Sequence, residues 1–201
     1  MGGTAAQGLG SGLTLGAGRR QPVSHFDFRV LDSFPEPGFA QLAAEVFDDF
    51  GQPSRELDEV LAAEAAGRGA DLKPDKPPCL RIGVFRDGDQ LVGWTCARAE
   101  AGFDLTMLNS GVARADRRLG MYSRLVQMTV EYATAQGYRS IKSRHLPANS
   151  AVIIAKLRLG FQVSGFEYSE VYGPLVCLRY LVGQPRRDLY QVRATPLVRL
   201  A

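Results

Sequence analysis

The chain has 201 residues, 45% of them hydrophobic and 22% charged, which suits one globular domain with its own core and excludes a disordered or fibrous chain. Its 24 basic and 21 acidic residues leave a net charge of +3, too small an excess to imply a nucleic-acid partner. Cys79, Cys96 and Cys177 are scattered and odd in number, so they offer neither a disulfide framework nor a metal-ligand spacing and point to a reducing compartment.

Residues 1–22 read as a flexible Gly/Ser-rich leader, followed by a single domain over 23–201. The leader lacks the basic start and apolar stretch of a signal peptide, and Ala6 breaks the myristoylation pattern. No apolar run approaches the ~20 residues that span a bilayer, so a cytoplasmic protein without membrane contact is expected. Phe26, Phe28 and Val30 then alternate with Asp27 and Arg29 as in a half-buried strand. Phe39, Leu42, Ala43, Val46, Phe47 and Phe50 recur at helical spacing, beginning near Pro35 to Pro37. "SRELDEVLAAEAAGRG" predicts a second helix capped by Ser54, and "DLKPDKPP" a proline-broken linker.

"LRIGVFRDGDQLVGWTCARA" predicts a hairpin about Asp87-Gly88, and "FDLTMLNSGVA" a further strand. A helix follows with Met121, Leu125, Met128 and Tyr132 on one face, ending at Gly137. "SIKSRHL" reads as a short strand and "NSAVIIAKLRLG" as a helix from Asn149 to Gly160. "FQVSGFEYSEVYG" and "PLVCLRYLV" are two more strands. The order β-α-α-β-β-β-α-β-α-β-β implies an α/β domain around a central sheet.

One junction carries chemistry. In "VARADRRLGMYSRLV" a strand passes through Arg117, Arg118 and Gly120 into a helix, where first-turn N–H groups lack partners and the helix dipole adds positive potential. Arg114 and Arg124 add charge nearby. Neither the P-loop pattern nor G-x-G-x-x-G is present, and a solvated basic turn would carry the same residues.

The surrounding pattern resembles the GNAT acyltransferase superfamily, whose members use acetyl-CoA or another acyl-CoA. The family's Arg/Gln-x-x-Gly-x-Gly/Ala signature is here Arg117-Arg118-Leu119-Gly120-Met121-Tyr122, and its N-x-x-A to L-G-F pattern is "NSAVIIAKLRLGF". The resemblance covers roughly residues 80–182 and implies the GNAT fold, a mixed, mostly antiparallel central sheet flanked by helices. It also implies that Arg117 to Tyr122 cradle the CoA pyrophosphate and that Gly111, Val112 and Ala113 pair with the pantetheine amides. Asn149 would lie near the pantetheine arm or serve as an N-cap. Lys156 or Arg158 would lie near the phosphates or the thiol end of the cofactor.

Two positions depart from the family pattern. Tyr122 replaces a small residue, and Lys156 stands where many members carry a general-acid tyrosine. For the base, Thr106 occupies the position of the family's strand Glu, and Asp104 precedes it by two residues. His145 is the first choice, since histidine titrates near neutral pH, although a pocket-lining imidazole would look the same. The resemblance implies acyl transfer to a primary amine of a small molecule, with Tyr168, Glu170 and Tyr172 facing the acceptor. No metal or nucleic acid is implied, and a homodimer is compatible. Two alternatives remain open: loading of malonyl or acyl groups onto a carrier protein through a His145–Thr106 pairing, and acyl-CoA binding without turnover.

Overall fold

The computed structural model describes residues 26–48 and 78–194. The leader, Phe50, the helix expected after Ser54 and nearly all of the proline-broken linker lie outside the described residues. In chain order the elements are β1 (Phe26–Val30), α1 (Gly38–Phe47), β2 (Cys79–Arg86), β3 (Gln90–Glu100), β4 (Asp104–Val112), α2 (Met121–Ala135), β5 (Ser140–His145), α3 (Ser150–Arg158), β6 (Gln162–Ser169), β7 (Gly173–Leu181) and α4 (Gln184–Ala194). A short 3-10 turn, Arg114–Asp116, links β4 to α2.

The strands form one sheet in the order β1-β2-β3-β4-β5-β7-β6, antiparallel at every junction except β4–β5. That exception follows from connectivity. A parallel neighbour needs a crossover, and α2 provides it. The β2–β3 hairpin turns where expected, with Asp87 and Gly88 both at positive φ (51° and 92°).

Each face of the sheet has its own core. On one, α2 buries Met121, Leu125, Val126 and Ala133 against Ile82, Val84, Leu105, Ile141 and Leu178. On the other, α1 lays Leu42 and Val46 against Phe85, Leu91 and the fully buried Trp94. Phe39 meets the Trp94 ring edge-on at 5.4 Å, and Asn109 Oδ1 accepts the indole N–H at 2.8 Å. A buried tryptophan removes roughly 150–250 Å² from water, about 4–6 kcal/mol of transfer free energy.

The sequence reading placed no element after β7, yet α4 is there. Its stretch "QPRRDLYQVRA" is polar, and Leu189 and Val192 are exposed, so no apolar stripe announces it. Arg187 anchors its first turn by donating to the Leu181 carbonyl at 2.9 Å and to the Tyr180 hydroxyl at 3.1 Å.

Candidate active site

β4 and β5 pair only at Asp104↔Ser140, Leu105↔Ile141 and Thr106↔Lys142, and then part. The cause is visible on the other edge of β4. Against β3 the register jumps from Asn109↔Cys96 to Met107↔Ala97, leaving Leu108 as an extra, bulged residue. A bulge bends its strand, and this one comes two residues after the last β4–β5 pair. Beyond it the β5-facing edge of β4 is open.

Hydrogen-bond alternation decides which groups face that opening. The N–H of Ala113 donates to Val92 O at 2.8 Å, so 113, 111 and 109 bond toward β3, while Val112 and Ser110 turn their amides toward the opening. This corrects the expected trio: of Gly111, Val112 and Ala113, only Val112 presents its backbone there, and its carbonyl accepts from Arg117 Nε at 3.2 Å. Gly111 instead answers to packing, since a Cβ would lie 2.5 Å from the Trp94 ring and 2.8 Å from Val46 Cγ1. Ser110 was not anticipated, because nothing local distinguishes it from its neighbours.

The turn after β4 takes the shape its glycine implied. Arg118 (φ 68°) and Gly120 (φ 89°) both adopt left-handed conformations, and Gly120 is the N-cap of α2 with no side-chain cap bond. Nothing lies within 4 Å of a Cβ at Gly120, so the backbone angle is what demands glycine. Successive N–H groups in such a conformation make an anion-binding concavity at the helix start. Arg117 and Arg118 are exposed beside it. Two expected contributors are committed elsewhere: Arg114 pairs with Asp48 at 3.7 Å and Arg124 with Glu131 at 2.7 Å. Tyr122 leans against the core rather than filling the turn, and burial pushes its phenol far above the usual range.

The turn is held from behind. Asp116, 5% exposed, accepts from Arg86 Nη1 at 2.7 Å, and Glu45 accepts the Arg114 N–H at 2.8 Å.

No family model matches the chain, and no curated protein matches it. Solved structures do. The ribosomal-protein-S18-alanine N-acetyltransferase from Escherichia coli aligns at 13% identity over 79% of this chain and 95% of its own, with a TM-score of 0.59. A GCN5-related N-acetyltransferase from Kribbella flavida aligns at 18% identity over 79% and 98%, TM-score 0.58. Nourseothricin acetyltransferase aligns at 17% identity over 79% and 99%, TM-score 0.54. This chain has the GNAT fold.

Within the GNAT fold the expected catalytic residues do not form one cluster. Thr106 is in register with Lys142, and His145 lies three residues further along β5, so the two occupy opposite faces of the sheet. A His145–Thr106 pairing is thereby ruled out. Asp104 lies at the closed end of the strand pair, on the Thr106 face, taking Lys142 at 2.6 Å and Ser140 Oγ at 2.7 Å. Burial raises its pKa, but these bonds and the Lys142 and Arg179 charges outweigh it and hold the carboxyl below its ordinary value. A carboxylate so stabilised is a poor base. Thr106 is buried with its hydroxyl unbonded.

His145 ends β5 on the α2 face, its Nε2 3.1 Å from Ser143 Oγ. Burial, and then the Lys156 charge, push its pKa from 6.5 down to about 3. The imidazole is neutral at physiological pH and weakly basic.

Lys156 departs furthest from expectation. It is 1% exposed, the only buried residue of α3, while Ile154 and Leu157 on the same helix are 47% and 41% exposed. Its Nζ is 3.2 Å from Met107 Sδ and 5.0 Å from the Phe161 ring centroid. An ammonium enclosed there cannot reach phosphates at the surface, so the expected phosphate contact gives way to an interior position. Burial lowers its pKa from 10.5 to about 7. Asn149 occupies the N-cap of α3 but makes no side-chain cap bond. Tyr168, Glu170 and Tyr172 are exposed at the β6–β7 hairpin, whose tip projects past His145 because Val176 pairs with it.

Proposed function

We propose that the protein is an acyl-CoA-dependent N-acyltransferase that moves an acyl group, acetyl being the simplest, onto a primary amine of a small molecule. One observation carries this reading: in the GNAT fold, an unpaired strand edge leads directly into a left-handed turn at a helix N-terminus. A flat, sequence-committed strand end would hold no extended ligand. An open edge followed by a cradle of N–H groups fits a long molecule with amides at one end and a pyrophosphate at the other.

The residues divide the work. The turn from Arg117 to Tyr122 holds the pyrophosphate through backbone N–H groups, with the Arg117 and Arg118 side chains adding charge. Val112 and Ser110 pair with the pantetheine amides as a missing strand would, after Arg117 yields the Val112 carbonyl. Asn149, at the start of α3, borders the same arm. Bound acyl-CoA supplies an activated thioester carbonyl. Placing an amine against that carbonyl accounts for much of the rate by proximity alone. The acceptor enters from the β6–β7 tip, where Tyr168, Glu170 and Tyr172 offer phenols and a carboxylate to a polar or cationic amine.

A base for the incoming ammonium is not supplied by Asp104, which is tied down, and His145 is weakly basic. Thermal unfolding with acetyl-CoA, repeated on Gly120→Asp, tests the reading. Ligand at ~100 times its Kd stabilises by ~2.7 kcal/mol, roughly 5–10 °C in a domain of this size. The shift should vanish in Gly120→Asp, whose carboxylate meets the pyrophosphate. Absence of any shift in the unaltered protein would refute acyl-CoA binding, and binding without turnover on an amine panel would leave a sensing domain.

A further inference from the structure

Two of the three cysteines meet, although they lie 17 positions apart in the sequence. Antiparallel pairing of β2 with β3 sets Cys79 opposite Arg98 and Arg81 opposite Cys96, which makes the two cysteines diagonal neighbours on one face of the sheet. Their Sγ atoms are 3.1 Å apart, close enough for one thiol to donate to the other. Both residues are half-buried. Neither counts among the residues packed in either core, and neither has a part in the acyl-CoA site. Burial first, and then Cys79, push the Cys96 thiol up to about 12, while the Arg81 and Arg98 charges pull the other way. Cys177 is placed differently. It lies on β7, three strands from β3, a separation of about 14 Å at the usual strand spacing. Its Sγ is 3.9 Å from Glu167 Oε2.

We propose that Cys79 and Cys96 form a reversible dithiol–disulfide site, oxidised by a low-molecular-weight disulfide of the glutathione class. This chemistry stands apart from acyl transfer. Burial keeps the Cys96 proton in place at neutral pH, so Cys79 attacks first. Its thiolate breaks the S–S bond of the small disulfide and holds one half as a mixed disulfide, while the other half leaves as a thiol. Cys96 then gives up its proton, attacks the Cys79 sulfur and expels the second half. Two protons and two electrons have passed from the cysteines to the two released thiols, with one S–S bond broken and one formed. The closing step brings the sulfurs about 1 Å nearer, to a bond length of about 2.05 Å. The Arg81 and Arg98 charges favour the Cys96 thiolate that this step requires.

The test equilibrates the unaltered chain in glutathione buffers of increasing disulfide fraction, alkylates the remaining thiols and locates each cysteine by peptide mass. The expected result is the loss of two free thiols out of three, with Cys79 and Cys96 joined and no glutathione retained. Cys177 stays open to alkylation throughout, and dithiothreitol restores all three thiols. Because the fold brings the sulfurs together, the folded chain should reach half-oxidation at a ratio of oxidised to reduced glutathione about tenfold or more below that of the chain in urea. Cys96→Ala should stop at glutathione on Cys79, the first step trapped, and Cys177→Ala should oxidise as the unaltered chain does. Three results on the unaltered chain overturn the proposal: a lasting glutathione adduct on Cys79 or Cys96, a disulfide that includes Cys177 or joins two chains, or a folded chain no easier to oxidise than the unfolded one.

Discussion

Replacing Lys156 with methionine should stabilise the protein at low pH, and the size of the effect follows from burial. Nζ has exchanged water for Met107 sulfur and the Phe161 ring, which lowers its pKa from 10.5 to about 7. The unfolded chain keeps the lysine proton up to about pH 10.4. Between those values the unfolded state binds more protons than the folded one, so stability rises with pH from about 7 to 10.5 and levels off beyond. Each pH step is worth about 1.4 kcal/mol, so the full span amounts to about 5 kcal/mol. Methionine carries none of this dependence. His145, the titratable group facing the amine, stays neutral throughout the range because its own pKa is near 3. Urea unfolding of both proteins at pH 6, 8 and 10 should show the variant ahead by several kcal/mol at pH 6, with the gap closing toward pH 10. Taking the difference at each pH removes the cysteine and tyrosine titrations common to both. Parallel curves would mean that Nζ is in water, and the enclosed position of Lys156 would have to be given up.

Three other substitutions probe the scaffold around the site. Arg86→Ala leaves the buried Asp116 carboxylate without its partner at 2.7 Å. It should cost about 3–5 kcal/mol by chemical denaturation, and a loss below 1 kcal/mol would show the pair to be solvated. Gly111→Ala drives a methyl to 2.5 Å from Trp94 and should cost about 1–3 kcal/mol. Since the chain has one tryptophan, near-UV dichroism reports the displacement directly, and an unchanged spectrum contradicts the close approach. His145→Gln should leave the shape of the kcat/KM profile between pH 5.5 and 8 unaltered, because the buried imidazole does not titrate there. A bend near pH 6.5 that disappears in the variant would restore His145 as the base.

Much of the architecture could be read from residue patterns because its signals are local. The alternation of Phe26, Phe28 and Val30, the Asp87-Gly88 turn and the spacing of Met121 and Leu125 each reflect a backbone period that a short window contains. The Arg118–Gly120 turn was legible for the same reason, since glycine marks positive φ wherever a strand meets a helix. What escaped was set by pairing between distant segments. Which of Gly111, Val112 and Ala113 faces the opening depends on the β3 register. The face that Thr106 shares depends on Lys142, 36 residues later, through the β4–β5 ladder. Helix α4 escaped for a different reason, as it is held by Arg187 reaching back to β7 rather than by an apolar stripe.

Helix α3 shows how a correct element can still mislead about chemistry. Its boundaries, Asn149 to Gly160, follow from local punctuation, and the structure keeps them. Its rotation does not follow, because Val152, Ile153, Ile154 and Leu157 offer an apolar face that burial would ordinarily select. That face is only partly used, and the lysine between them turns inward instead. Ile153 and Leu159 pack against the core beside it, and the enclosed amine costs stability most where it is charged, below about pH 7. The same rotation brings Nζ beside Met107, where β4 has just left β5. The bulge at Leu108 and the enclosed lysine of α3 are separate departures from the local pattern, in different elements, and they meet at Met107, where β4 parts from β5.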